Sequence, residues 1–92
     1  MEQKFAAAWQ ANRTKAALLG VRMRPVEDSE AVRTAKRTLS GSRLSDGFHA
    51  LMACGHLELS LEALVIQGKY GSLFTDEEVN FCLEVLMEAG YF

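Results

Sequence analysis

Four side chains in this sequence carry an imidazole or a thiol: His49, Cys54, His56 and Cys82. Cys54-Gly55-His56 sets two of them side by side. A structural zinc site needs three or four such ligands in tetrahedral array, usually as two tightly spaced pairs. One pair is present, so the reading gives no metal and no cofactor. Cys54 with His49 or His56 also has the makings of a thiolate–imidazole couple. No Gly-x-Ser-x-Gly elbow accompanies it, no oxyanion device is visible, and a helical domain of 92 residues is expected to offer little pocket. Gly68-Lys69-Tyr70-Gly71-Ser72 lacks both the preceding buried strand and the Gly-Lys-Ser/Thr order of a phosphate cradle. The expectation is a protein with no catalytic residue. Cys82 falls on an apolar helix stripe, where a thiol behaves as a small hydrophobe, and two free thiols are expected rather than a disulfide.

Binding chemistry is better represented. Residues 13–43 carry Arg13, Lys15, Arg22, Arg24, Arg33, Lys36, Arg37 and Arg43 against Glu27, Asp28 and Glu30, a net of +5. Residues 44–92 carry Lys69 against eight acids, a net of −7. Such segregation steers an acidic partner to the first half, or lets the halves attract each other within one chain or across a homodimer. Large aromatics include Phe5, Trp9, Tyr70, Phe74, Tyr91 and Phe92, types that together with Arg are enriched at interface hot spots. Trp9, Arg33, Lys36, Arg37, Tyr91 and Phe92 are therefore the candidate partner-binding residues. Arg13, Arg22, Arg24, Arg33, Lys36, Arg37 and Arg43 are the candidates if the partner is nucleic acid, because affinity for it rests on neutralising phosphates.

The elements that must position these groups are helices. The length suits one domain, residues 1–92, with an alanine-rich, basic half (1–43) and an acidic half (44–92). About five short helices are expected. The first covers 2–19, with Phe5, Trp9, Ala16 and Leu19 inward, high alanine propensity and Gly20 as its stop. Arg24-Pro25 marks a connector. A second helix starts at Asp28 or Ser29 as cap, carries Val32, Ala35 and Leu39 inward and ends at Ser40-Gly41-Ser42. A third, over 45–54, turns Phe48, Leu51 and Met52 inward. Leu57-Glu58-Leu59 alternates and admits a short extended segment. Ser60 caps a fourth helix, with Leu59 and Leu64 spaced as a hydrophobic staple. Thr75 and Glu78 have capping-box spacing before a fifth, with Phe74 and Val79 as its staple and Val79, Cys82, Leu83 and Leu86 inward. The fold class is thus all-α.

The order helix, short apolar stretch, helix, turn, helix, then Gly90-Tyr91-Phe92 resembles the core of a winged helix over about half of the chain. That resemblance implies a DNA-binding regulator. The helix that would enter the major groove carries Asp76, Glu77, Asn80, Glu84 and Glu88, which phosphates repel, so contact would fall to the basic half. The leading expectation is a non-catalytic regulatory or adaptor protein of inhibitor or anti-activator type, acting by binding another protein; the small DNA-binding regulator is the alternative. No apolar run approaches the ~18 residues of a membrane span, and Met1-Glu2-Gln3-Lys4 leads into alanines rather than a signal-peptide core, so a cytoplasmic protein without membrane contact is expected.

Overall fold

The computed structural model describes residues 2–23 and 26–91. Among these the chain forms five α-helices and no strand: α1 (Glu2–Leu18), α2 (Ala31–Ser40), α3 (Phe48–Ala53), α4 (Leu61–Val65) and α5 (Asp76–Glu88). Three 3₁₀ turns, Asp28–Glu30, Leu57–Leu59 and Gly71–Leu73, introduce α2, α4 and α5. The all-α expectation holds. The break at Arg24-Pro25 lies outside the described residues.

Every residue of α4 is buried. A helix that is buried all round must sit between two apolar bodies, and α4 does. Leu61, Leu64 and Val65 join one cluster with Phe5, Ala6, Trp9, Ala31, Ala35, Leu39, Tyr70, Phe74 and Cys82. Ala63 joins the other, with Ala16, Val21, Phe48, Leu51, Leu57, Leu59 and Leu86. The long helices α1 and α5 span both clusters, giving Phe5 and Cys82 to the first and Ala16 and Leu86 to the second. Phe5 is the aromatic hub: its ring centroid lies 5.8 Å from Trp9, 5.4 Å from Tyr70 and 5.3 Å from Phe74, the last two edge-on. Rings so arranged add to simple area burial through their quadrupoles.

Helix ends follow the sequence signals in most places. Thr75 Oγ1 accepts from the Glu78 amide at 3.2 Å and Glu78 Oε1 accepts from the Thr75 amide at 2.8 Å, the reciprocal box expected there. Ser60 Oγ accepts from the Ala63 amide at 3.1 Å. Helix α5 closes with Tyr91 N–H on Leu86 O and Gly90 N–H on Met87 O, the paired bonds of a Schellman stop.

Other expectations need correction. The segment 57–59 is a 3₁₀ turn, not extended; its tight winding buries Leu57 and Leu59 together in the second cluster. Leu59 and Leu64 are buried in different clusters, so they form no staple. Helix α2 begins after the 3₁₀ turn, and neither Asp28 nor Ser29 caps it. Leu19 and Met52, expected inside, are exposed: Leu19 lies beyond the end of α1, and Met52 lies off the face of α3 that buries Phe48 and Leu51. Cys54 is likewise exposed rather than packed among apolar groups. Helix α2 does end at Ser40-Gly41-Ser42, with Ser42 in the left-handed conformation at φ +54° and Gly41 at −82°. Ser42 N–H bonds Leu39 O and Arg43 N–H bonds Thr38 O. Without a strand among the described residues, the winged-helix order has no wing there.

Candidate functional site

The imidazole and thiol groups do not assemble. Cys82 is wholly buried, and burial, followed by the nearby Glu62 and Glu78 carboxylates, pushes its thiol up to about 12. It is a protonated packing group at neutral pH, and thiolates rather than thiols are nucleophiles and ligands. Cys54 is exposed and points Sγ at Leu51 O, 3.6 Å away. His56 Nδ1 lies 2.9 Å from Glu58 Oε2, and His49 meets the Phe48 ring edge-on at 5.9 Å. Hydrogen bonding to His56 is the main cause that holds the Glu58 carboxyl below its ordinary value. Among the described residues no three His, Cys, Asp or Glu side chains come together to hold a metal ion.

A half-open cleft of about 500 Å³ runs alongside α2. Trp9 and Leu61, both in the first cluster, supply its apolar floor. Glu30, Thr34, Arg37 and Thr38 form one wall; spaced i, i+4, i+7 and i+8, they share one face of the helical chain. Met23, Val26 and Glu27 from the connector, Arg13 from α1 and residues 43–46 complete it. No His or Cys is among these lining residues.

Three local devices build the cleft. The first is the left-handed Ser42, which turns the chain so that Arg43 folds back over Gly41; a Cβ there would stand 3.7 Å from Arg43 Cγ and Nε. The second is Gly47 at φ +80°, where a Cβ would come within 2.9 Å of Val21 Cγ1 and 3.3 Å of Met23. No other residue lets the 43–47 loop approach the connector so closely. The third is Glu62. Its side chain is buried in the middle of the apolar α4, and a carboxylate there must find donors. It accepts from Ser45 N at 2.8 Å and Ser45 Oγ at 2.6 Å, which pins the loop to the core.

The residues singled out from sequence separate into distinct groups. Trp9, Arg13, Arg37 and Arg43 meet at the cleft. Trp9 is only 8% exposed, so it acts as floor and core rather than as a protruding anchor. Arg13 donates from Nη1 to Gln10 Oε1, while its buried Nε has no hydrogen-bond partner. Arg33 is exposed and pairs with Glu30 at 3.5 Å. Lys36 turns the other way: Nζ bonds Glu78 Oε1 at 2.8 Å and Leu73 O at 3.1 Å, 5.5 Å from the centre of the Phe74 ring. It joins the basic half to the acidic half inside the molecule. Arg22 and Met23 line two further, more open hollows, the larger of about 690 Å³. Tyr91 is exposed just after α5. Arg24 and Phe92 lie outside the described residues.

The wall residues Glu27, Glu30, Thr34 and Thr38 and the pin between Ser45 and Glu62 were not singled out. The available signal for the pin was a lone carboxylate inside Leu61-Glu62-Ala63-Leu64-Val65, which demands a buried donor without saying which. No described helix is long and apolar enough to cross a membrane. Compared with known protein families, curated proteins and solved structures, the chain has no significant match.

Proposed function

We propose that this chain is a non-catalytic binding protein, of regulatory or adaptor type, that takes a segment of another protein into the cleft alongside α2. The observation that carries the reading is the cleft itself: an apolar floor of Trp9 and Leu61 under a rim bearing Arg13, Arg37 and Arg43. Concave, mostly preformed sites with a few convergent polar groups are where ligands bind. The rim supplies bidentate guanidinium donors for carboxylates and carbonyls, and the floor supplies desolvation. The groups with nucleophilic or acid–base potential, the cysteines and histidines, lie elsewhere. Occupying such a cleft would act by occlusion or recruitment, as inhibitors and anti-activators do.

The same cleft speaks against nucleic acid as the occupant. Glu27, Glu30 and Asp46 line it among the arginines, and Lys36 is turned inward onto Glu78. Phosphate binding draws instead on unopposed cations.

A photo-crosslinking residue placed at Thr34, inside the cleft, and another at the exposed Gln67, outside it, test the reading in the native host cell. Protein adducts of discrete mass from Thr34 alone are expected. Nuclease-sensitive adducts at Thr34, or the same adducts from both positions, would overturn it.

A further inference from the structure

We propose that a second copy of this chain docks on the first, the exposed apolar end of α1 in one copy meeting the exposed apolar end of α5 in the other. The contact lies beyond the cleft reading and does not depend on it. Helix α5 supplies no residue to the cleft, and α1 gives it only Trp9 and Arg13.

Four of the five large apolar side chains left exposed among the described residues fall at two places. Leu18 and Leu19, 84% and 45% exposed, stand where α1 ends; Met87 and Tyr91, 67% and 39% exposed, stand where α5 ends. Single exposed hydrophobic residues are ordinary, but two pairs at the ends of the two longest helices are a pattern. One copy cannot cover them by adjusting. Ala16 and Leu86, on the same last turns, are wholly buried in the second cluster. A helix turns about 100° per residue, so Leu18 and Met87 could face that core only by pulling Ala16 and Leu86 out of it.

Charge decides what covers them. The α1 end is flanked along the chain by the exposed Lys15 and Arg22, and no Asp or Glu occurs from residue 3 to residue 26. The α5 end is flanked by the exposed Glu84 and Glu88, and no Lys, Arg or His occurs from residue 70 to residue 92. None of these four charges is taken up in an ion pair among the described residues. Glu58, whose carboxyl feels the Lys15 charge, is already bonded to His56. One chain thus presents a cationic apolar end and an anionic apolar end. Two α1 ends, or two α5 ends, would set like charges together, whereas α1 against α5 sets opposite charges together. A uniformly acidic partner would match the first end alone and a uniformly basic one the second alone. A second copy carries the complement of both. Where the two contacts close about a two-fold axis the product is a dimer; where they do not, copies add head to tail, and the contact is the same.

The test is sedimentation velocity over a concentration series at low ionic strength. The natural protein should associate as concentration rises. Two double variants change only exposed positions: Lys15→Glu with Arg22→Glu makes both ends acidic, and Glu84→Lys with Glu88→Lys makes both basic. Each alone should associate at least tenfold more weakly, because attractive pairs become repulsive. An equimolar mixture of the two should associate again, since each then meets the opposite sign. Leu18→Ser with Met87→Ser should weaken association while leaving every charge in place. Circular dichroism confirms that each variant is folded.

A natural protein that stays monomeric at millimolar concentration overturns the proposal and leaves the two ends to a different protein. Association that either charge variant retains in full, or a mixture that fails to restore it, overturns it as well. Crosslinks from Thr34 that carry the mass of a second copy would seat that copy in the cleft and overturn the α1–α5 contact too.

Discussion

Replacing Lys36 by Met probes the polar contact that joins the two charged halves, because Met keeps the aliphatic stem and removes the ammonium. Glu78 is 7% exposed, Lys36 37%, and their charged atoms are 2.8 Å apart. The Glu78 carboxylate also accepts from Thr75 N at 2.8 Å and Ser40 Oγ at 3.2 Å. Stripping one partner from a fully buried pair costs about 3–5 kcal/mol, while exposed pairs contribute about 0–1 kcal/mol. With one member buried and the other more than a third exposed, solvent screening places the cost near 2 kcal/mol. A chain of this size has about 5–14 kcal/mol in all, so the urea midpoint should fall by roughly 1 M.

The pH dependence gives a sharper test. Burial is the largest influence on Glu78 and raises its pKa, but the bonds from Lys36, Thr75 and Ser40 together outweigh it and hold the carboxyl below its ordinary 4.5. A lowered folded-state value contributes stability above the unfolded-state value and loses it as pH falls through the folded-state value. In the Met variant burial is less opposed, so the Glu78 pKa should rise. The gap between the two proteins should then be about 2 kcal/mol at pH 7 and shrink as Glu78 protonates in both, leaving only what the Lys36 bond to Leu73 O contributes. Urea unfolding at pH 7 and in acid, with carboxyl NMR titration, measures both effects. A gap below about 0.5 kcal/mol at pH 7, or one of equal size in acid, would refute the electrostatic account and assign Lys36 to packing against Phe74.

Three further outcomes follow from local geometry. Ser42→Gly should raise stability by about 0.5–1 kcal/mol, because φ +54° is strained for a side-chain-bearing residue; a lower thermal midpoint would show that Ser42 makes up for the strain elsewhere. Ser45→Ala leaves the buried Glu62 with the loop amide but not the hydroxyl, and should cost about 1–3 kcal/mol in denaturant unfolding. At pH 8 a water-soluble disulfide reagent should label Cys54 promptly and reach Cys82 only on unfolding, since the Cys82 thiol is pushed up to about 12 inside the core; two fast-reacting thiols in the native protein would contradict that placement.

The parts of the fold visible in the sequence are those fixed by near neighbours. The Thr75–Glu78 box, the Ser60 cap and the stop at Gly90 each depend on residues within one turn, and each stands where local chemistry puts it. The stripes gave Phe5, Trp9, Ala35, Leu39, Leu51, Cys82 and Leu86 as inward-facing, and all are buried. The staple expected at Leu59 and Leu64 failed for a tertiary reason. A one-dimensional pattern assigns a helix one buried face, whereas α4 lies between two clusters and is buried on all of them. That is why Leu59 and Leu64 part company and why Glu62 sits inside.

The amino-acid sequence by itself determined a helical chain, its main boundaries and the segregation of its charge. Only the tertiary structure decided which charges are spent inside and which line a cleft. Lys36 and Arg37 are adjacent and alike in sequence, yet 100° of helical turn sends one onto Glu78 and the other to the cleft wall. Ser45 and Glu62 are 17 residues apart, and their bond exists only because packing α4 between two cores leaves a carboxylate that the loop must satisfy. Contacts of that kind depend on the relative placement of whole elements, which no local periodicity encodes.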